Sequence, residues 1–196
     1  WPDGTTAVAG RIYAVGGYSG SPLTANAEYD PAADAWTNKA ALPAANLAHA
    51  AVAYGGAVTL IGGENLGGVL ATVRRYDPAA DSWSSLASLP AARTGLPAAV
   101  VGDRAFAVGG QAPPYVSSNT EYSFLTGAWT ARTPLPFVNH AMGPAVLGSR
   151  AYFIGGYDGA FLSSVAVYDA GAGTWSSGAA VPLASNYASV GVIGRK

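Results

Sequence analysis

Short apolar runs recur along the chain, and each of them ends in a pair of glycines. The runs cover residues 12–15, 58–61, 105–108 and 151–154. Their shortness, their β-prone residues and their glycine boundaries predict buried strands. A second apolar run precedes each one, separated from it by a tight turn such as Ala9-Gly10 or Gly55-Gly56. Because glycine accepts positive φ at little cost, each pair of runs is predicted to form a β-hairpin.

A tyrosine follows each glycine pair, and a tryptophan comes seven residues after the tyrosine. The tyrosines are Tyr29, Tyr76, Tyr122 and Tyr168, and the tryptophans are Trp36, Trp83, Trp129 and Trp175. Between them lies a turn, Asp30-Pro31-Ala32-Ala33-Asp34 in the first unit, whose aspartates are predicted to cap backbone amides. Successive tryptophans are 47, 46 and 46 residues apart, which indicates a repeat architecture. Each unit is predicted to hold four strands, at 5–9, 12–16, 25–30 and 35–39 in the first.

With its glycine pair, tyrosine, six-residue gap and tryptophan in all four units, the chain resembles the kelch repeat. The resemblance implies an all-β, kelch-type β-propeller with one four-stranded blade per repeat and the first strand of each blade nearest the axis. The repeats lie at about 3–46, 47–93, 94–139 and 140–186, so residues 1–196 are expected to form a single propeller domain or part of one. The repeated tyrosines and tryptophans are then expected to pack between adjacent blades.

The segment 187–196 aligns with the first strand of the fourth unit and is expected to form one extra C-terminal inner strand. Three arrangements stay open. The chain is a piece of a longer propeller, two chains combine their blades in one ring, or one ring closes with a strand displaced. Because uncovered blade faces and strand edges favour association, we expect a homo-oligomer in which two chains complete one ring.

Composition narrows the possible partners. Half of the residues are hydrophobic and 11% are charged, which favours a folded core. The net charge of −1 offers no basic face, so neither nucleic acid nor a membrane is an expected partner. The chain has no cysteine, and its two histidines, His49 and His140, stand two residues out of register, so no metal and no cofactor are expected. The compartment, cytoplasmic or secreted, stays open.

Candidate ligand-binding residues fall in two sets of loops that a propeller places on one face. A polar side chain recurs three residues after the proline that closes each unit, as Asn46, Arg93, Asn139 and Ser185. The kelch resemblance implies that this position contacts a bound peptide, with Arg93 the strongest candidate for a carboxylate because its planar fork suits bidentate pairing. The alternative is structural, since such side chains also satisfy loop backbone groups.

The loops after the glycine pairs vary in sequence and add further candidates. These are Tyr18, Glu64, Gln111, Tyr115, Tyr157, Asp158 and Phe161. The aromatic residues among them are either interface anchors or lids over the blade core. We expect a non-catalytic scaffold that binds a protein or peptide. A carbohydrate-binding or carbohydrate-processing propeller and an architectural set of self-assembling blades are the alternatives.

Overall fold

The computed structural model describes residues 4–188 and 190–192, and these residues form β-strands joined by turns and loops. The strands are β1 (Gly4–Val8), β2 (Arg11–Val15), β3 (Asn26–Asp30), β4 (Ala35–Asn38), β5 (Ala50–Tyr54), β6 (Ala57–Ile61), β7 (Glu64–Asn65), β8 (Gly68–Val69), β9 (Val73–Asp77), β10 (Ser82–Leu86), β11 (Ala98–Val101), β12 (Arg104–Val108), β13 (Asn119–Ser123), β14 (Ala128–Arg132), β15 (Gly143–Leu147), β16 (Arg150–Ile154), β17 (Val165–Asp169) and β18 (Thr174–Ser177). None of the described residues forms a helix long and apolar enough to cross a membrane.

Sixteen of these strands form four antiparallel sheets of four strands, which we call blades 1 to 4. Blade 1 is β1-β2-β3-β4, blade 2 is β5-β6-β9-β10, blade 3 is β11-β12-β13-β14 and blade 4 is β15-β16-β17-β18. The predicted all-β fold and its four-stranded blades are therefore confirmed. The predicted strands of the first unit agree with β1 to β4 to within one residue at each end. The short β7–β8 hairpin, inserted after the second glycine pair, was not predicted.

The blades divide between two compact units, Trp1–Thr94 and Gly95–Lys196, here called the N-terminal and C-terminal units. In the N-terminal unit, Tyr13 and Val15 of blade 1 share a buried cluster with Val58 and Tyr76 of blade 2. The rings of Tyr13 and Tyr76 lie 5.8 Å apart, tilted by 58°. Each fully buried side chain of this size stabilises the unit by roughly 1.5–3 kcal/mol, so the contact between the two blades contributes to the stability of both.

The C-terminal unit repeats this packing with different side chains. Phe106 and Val108 of blade 3 share a buried cluster with Phe153 and Tyr168 of blade 4. The rings of Phe106 and Tyr168 lie 5.2 Å apart at an angle of 57°. Phe106 precedes its glycine pair by three residues, as Tyr13 does, so the same two repeat positions meet in both units.

Two of the repeated tryptophans bond across neighbouring blades, as predicted. The indole N–H of Trp83 donates to the Ala40 carbonyl at 2.8 Å, and that of Trp175 donates to the Thr133 carbonyl at 2.8 Å. Trp36 departs from the prediction of a packed core residue, because 56% of its surface is exposed. The burial of a tryptophan at this position therefore depends on the surface that packs against its blade and not on the strand that carries it.

The turns between the third and fourth strands use their aspartates as predicted. The Asp30 carboxylate accepts from the Ala32 amide at 2.8 Å, and the Asp77 carboxylate accepts from the Ala79 amide at 2.9 Å. Asp81 accepts from the Tyr76 hydroxyl at 2.6 Å and from the Ala40 amide at 2.8 Å. The Tyr76 bond, followed by the amide bond, lowers the pKa of Asp81.

The expected extra strand over 187–196 is not found in the described part of that segment. Residues 187, 188 and 190–192 belong to no strand, while Ser189 and residues 193–196 lie outside the described residues. A backbone hydrogen bond of 2.6 Å joins the Tyr187 amide to the Ala141 carbonyl, next to β15. One such bond aligns the segment with its neighbour, but a strand needs a continued ladder of backbone pairs.

Candidate functional site

A backbone hydrogen bond fixes the recurring polar position in every repeat. The second glycine of each pair donates its amide to the carbonyl of the polar residue at the boundary with the next repeat. The four bonds are Gly17 to Asn46 at 2.9 Å, Gly63 to Arg93 at 2.8 Å, Gly110 to Asn139 at 2.9 Å and Gly156 to Ser185 at 2.8 Å. The glycines are needed here, because φ is positive at both members of each pair and a Cβ at Gly109 would clash with the Asn139 carbonyl.

The side chains of Asn46 and Asn139 are buried and bond to the glycine pair that follows them in the chain. Asn46 donates from Nδ2 to the Gly62 carbonyl at 2.9 Å, and Asn139 donates to the Gly155 carbonyl at 3.0 Å. The Asn139 Oδ1 also accepts from the Tyr157 amide at 2.8 Å. These contacts agree with the second interpretation of this position, in which the side chain orders the loop backbone instead of contacting a ligand.

Arg93 and Ser185 hold the same backbone position with different exposure. Arg93 is 2% exposed, and burial lowers the pKa of its guanidinium to about 10. It is therefore not displayed as an open surface charge. Ser185 is half-buried, and its amide donates to the Leu162 carbonyl at 3.0 Å.

The loops after the glycine pairs leave their candidate residues exposed or half-buried. Tyr18 is exposed beside Pro22, and Glu64 lies at the start of the β7–β8 hairpin, where it exchanges backbone bonds with Leu47. Gln111 pairs with Tyr115 across its own loop. Asp158 is exposed, and its carboxylate accepts from the Ala160 amide at 3.2 Å, as a turn cap does.

Three of the predicted aromatic residues meet in the C-terminal unit around His140, which was not among the predicted site residues. The Tyr115 ring stacks on the imidazole at 4.5 Å with a 9° interplanar angle, and the Tyr157 ring meets it edge-on at 5.6 Å. Phe161 packs against Tyr157 at 5.5 Å and keeps 60% of its surface exposed. Tyr187 approaches the imidazole edge-on at 6.4 Å. We call these five residues the aromatic cluster.

Backbone bonds hold the aromatic cluster in place. The amides and carbonyls of His140 and Tyr157 exchange bonds of 3.2 and 3.0 Å. The imidazole Nδ1 lies 2.8 Å from the Tyr157 carbonyl oxygen. Because a carbonyl can only accept, Nδ1 is the donor in this contact. These bonds orient the imidazole and the Tyr157 backbone relative to each other.

Comparison with known proteins agrees with the four-stranded blades and their repeated glycine pairs. The Kelch motif matches residues 4–43, 46–90 and 140–182, which is more than half of the chain. The chain belongs to the kelch family. The solved structure of YjhT superposes with a TM-score of 0.80 and 18% identity, over 94% of this chain and 67% of that one. This likeness shows the kelch propeller fold of the blades. A search of curated protein sequences finds no match.

The third kelch repeat lies outside the matched ranges, although its structure follows the others. Blade 3 has the strand order of blades 1 and 4, and its Tyr122 and Trp129 rings lie 5.1 Å apart, within the 4.8–5.2 Å of the equivalent pairs in the other blades. In this repeat, Gln111-Ala112-Pro113-Pro114 follows the glycine pair and leads to Tyr115 of the aromatic cluster.

The described residues bring together no group of three or more His, Asp or Glu side chains that could hold a metal ion. Of the predicted candidates, Tyr115, Tyr157 and Phe161 pack together in the aromatic cluster, while Tyr18 and Glu64 belong to the N-terminal unit. A signal for His140 was present in the sequence. The position after the recurring polar residue is Leu47, Thr94, His140 and Asn186 in successive repeats, so a ring appears there once.

Proposed function

We propose that the chain is a binding scaffold that recognises a protein or peptide segment through the aromatic cluster of its C-terminal unit. The observation that carries the proposal is the exposed ring of Phe161, which packs against Tyr157. Tyr157 in turn packs against His140, whose backbone is hydrogen-bonded to it. Rigid aromatic side chains of this kind supply large contact area at low entropic cost. Kelch propellers commonly bind proteins, which agrees with this use of the loops.

Neighbouring loop residues extend the surface that a peptide would meet. Phe137 and Val138 are exposed and immediately precede Asn139, whose amide bonds to Val116 beside Tyr115. The surface therefore combines exposed apolar side chains with the half-buried, hydroxyl-bearing rings of Tyr115 and Tyr157. We expect it to select a segment with an aliphatic or aromatic anchor rather than a highly charged one.

Arg93 is a second contact expected from the kelch resemblance, directed at a carboxylate. Its burial limits that role to a ligand group that reaches the guanidinium below the loop surface. The proposal rests on the aromatic cluster and not on Arg93.

A displayed library of random peptides, selected on the immobilised full chain, tests the proposal. We expect the selected peptides to share an apolar anchor, and Phe161→Ala and Tyr115→Ala to weaken them by about tenfold or more. Leu125→Ala is the matched control, because Leu125 is an exposed apolar residue at the opposite end of blade 3, in the β13–β14 turn. Failure to select any peptide, or equal loss with Leu125→Ala, would overturn the proposal.

The same variants also test whether the aromatic cluster binds carbohydrate instead of peptide. Binding to an immobilised glycan panel that Tyr115→Ala abolishes, without peptide binding, would assign the cluster to sugars. Release of reducing sugar that depends on Glu64 or Asp158, tested with Glu64→Gln and Asp158→Asn, would instead indicate carbohydrate processing. A chain that binds neither probe and only associates with itself would fit the architectural alternative.

A further inference from the structure

Within each unit, the contact between blades follows one chemical pattern. In blade 2, Val58, Tyr76 and Trp83 form a cross-strand row on the face that meets blade 1. We call this row the leading row of a blade. Tyr76 packs on Tyr13, the Trp83 indole donates to the Ala40 carbonyl, and the Ala40 amide donates to the turn carboxylate of Asp81.

The C-terminal unit repeats the pattern with substituted partners. The leading row of blade 4 is Ala151, Tyr168 and Trp175. Tyr168 packs on Phe106, and the Trp175 indole donates to the Thr133 carbonyl. The turn aspartate is replaced by Gly173, whose carbonyl accepts from the Thr133 hydroxyl at 2.7 Å. The pattern therefore needs an aromatic pair and an indole–carbonyl bond, while its third contact can vary.

Blade 1 carries the same leading row, but exposed. Ile12, Tyr29 and Trp36 lie opposite one another across β2, β3 and β4. Ile12 is 40% exposed and Trp36 is 56% exposed, whereas Val58 and Tyr76 in the equivalent row are fully buried. The Tyr29 hydroxyl donates to Asp34 at 2.6 Å, as Tyr76 does to Asp81. Among the described residues, no hydrogen-bond acceptor is found for the Trp36 indole.

Blade 4 carries the complementary groups on its other face. Tyr152 precedes its glycine pair by three residues, like Tyr13 and Phe106, but is half-buried where they are fully buried. Ala179 follows its tryptophan by four residues, like Ala40 and Thr133, and is exposed. We call Tyr152 and Ala179 the trailing pair of blade 4. The Tyr152 ring is the counterpart that Tyr29 of blade 1 requires. The Ala179 carbonyl is the acceptor that the Trp36 indole requires, and the Ala179 amide is the donor that the turn carboxylate of Asp34 requires.

We propose that the leading row of blade 1 in one copy of the chain docks on the trailing pair of blade 4 in a second copy. The Tyr29 ring of one copy then packs on Tyr152 of the other, as Tyr76 packs on Tyr13. The Trp36 indole donates to the Ala179 carbonyl, and the Ala179 amide donates to Asp34. A second copy is the occupant that the structure favours, because both halves of a contact already made twice within the chain are carried by it.

Sedimentation velocity of the full chain over the micromolar range tests the proposal. We expect the wild type to form particles of at least twice the 19.6 kDa of one chain. Trp36→Phe keeps the ring on Tyr29 but removes the indole N–H, so it is expected to weaken association by about fivefold to tenfold. Trp36→Ala is expected to weaken it further. Leu66→Ala is the matched control, because Leu66 is a more exposed apolar residue of the same unit.

Mixing two variants tests the polarity of the contact. Trp36→Ala damages the leading row, and Ala179→Pro removes the amide of the trailing pair. Each variant alone is expected to stay at the mass of one chain, because every contact between identical copies uses one damaged face. A mixture of the two retains one intact face on each chain and is expected to form a particle of two chains.

A wild type that keeps the mass of one chain throughout the range would overturn the proposal. So would a Trp36→Ala variant that associates as the wild type does, because association would then use another surface. Far-ultraviolet circular dichroism of each variant shows that its blades are folded. If Trp36→Ala or Ala179→Pro is unfolded, its particle mass is not used, and the association of Trp36→Phe decides the outcome.

Discussion

The phenol ring of Tyr115 lies flat on the imidazole of His140, with ring centroids 4.5 Å apart and planes 9° from parallel. Tyr115 belongs to the loop that follows β12, and His140 precedes β15, so the stack joins blades 3 and 4 of the C-terminal unit. It makes the two loops one surface. A substitution in one of these loops is therefore expected to disturb the other.

Tyr115→Leu should release His140 from the ring current of the stacked phenol. We expect the imidazole proton resonances of His140 to move downfield, and the free energy of unfolding to fall by about 1 kcal/mol. Tyr115→Phe should keep both values near those of the wild type, because the hydroxyl makes no part of the stack. Proton nuclear magnetic resonance checks this directly, since the chain has two histidines and His49 supplies the unchanged reference.

His49 should make the stability of the chain depend on pH. It is buried, and burial lowers the pKa of its imidazole from 6.5 to about 4, with only partial compensation by the Val15 backbone. Between these two values, the unfolded chain binds a proton that the folded chain does not bind. Stability is therefore full above pH 6.5, falls as the pH drops toward 4, and levels off below, with a loss of about 3 kcal/mol from this residue.

Denaturant unfolding at a series of pH values measures this loss. His49→Gln should flatten the curve between pH 6.5 and 4, whatever its effect on stability at neutral pH. The wild-type curve is the comparison. An unchanged slope in His49→Gln would assign the acid sensitivity to other groups.

Asn139 should contribute more to stability than Asn46. Its side chain donates to the Gly155 carbonyl and accepts from the Tyr157 amide, whereas Asn46 donates to the Gly62 carbonyl. We expect Asn139→Ala to lower the free energy of unfolding by about 2–3 kcal/mol and Asn46→Ala by about 1 kcal/mol. Equilibrium unfolding in urea measures both, and equal losses would contradict the ranking.

The hydroxyl of Tyr76 should matter more than that of Tyr29, although each donates to a turn aspartate at 2.6 Å. Tyr76 is fully buried between blades 1 and 2, so Tyr76→Phe is expected to cost about 1 kcal/mol. Tyr29 lies at the exposed row of blade 1, where water replaces a lost partner. Thermal unfolding of the two variants should therefore show the larger decrease in Tm for Tyr76→Phe.

The strands could be predicted closely because each is a local pattern repeated four times. The burial of the tryptophans could not be predicted from the sequence, because it depends on whether a neighbouring blade packs against each one. Trp83 and Trp175 find carbonyls on the preceding blade, while the same residue type at the same repeat position, Trp36, is exposed. A repeat position fixes the direction of a side chain but not the surface that it meets.

The candidate site was predicted in part for a similar reason. The aromatic residues of the variable loops were visible in the sequence, but their meeting around His140 depends on how the loops of blades 3 and 4 fold over one another. Conversely, Asn46 and Asn139 were predicted as ligand contacts from a repeat position, and the structure shows them bonded to glycine carbonyls of the loops they adjoin. Their part in ligand binding stays a prediction.

The carbonyls of Asn46, Arg93, Asn139 and Ser185 are held by glycine amides, and no atom of any side chain enters those bonds. These backbone bonds do not depend on the residue type, whereas the bonds from the Asn46 and Asn139 side chains to the Gly62 and Gly155 carbonyls do. Ser185 is half-buried, so a substitution there disturbs the loop less than one at the buried Asn46, Arg93 or Asn139. Ser185 is therefore the member of this set best suited to carry new chemistry on the framework.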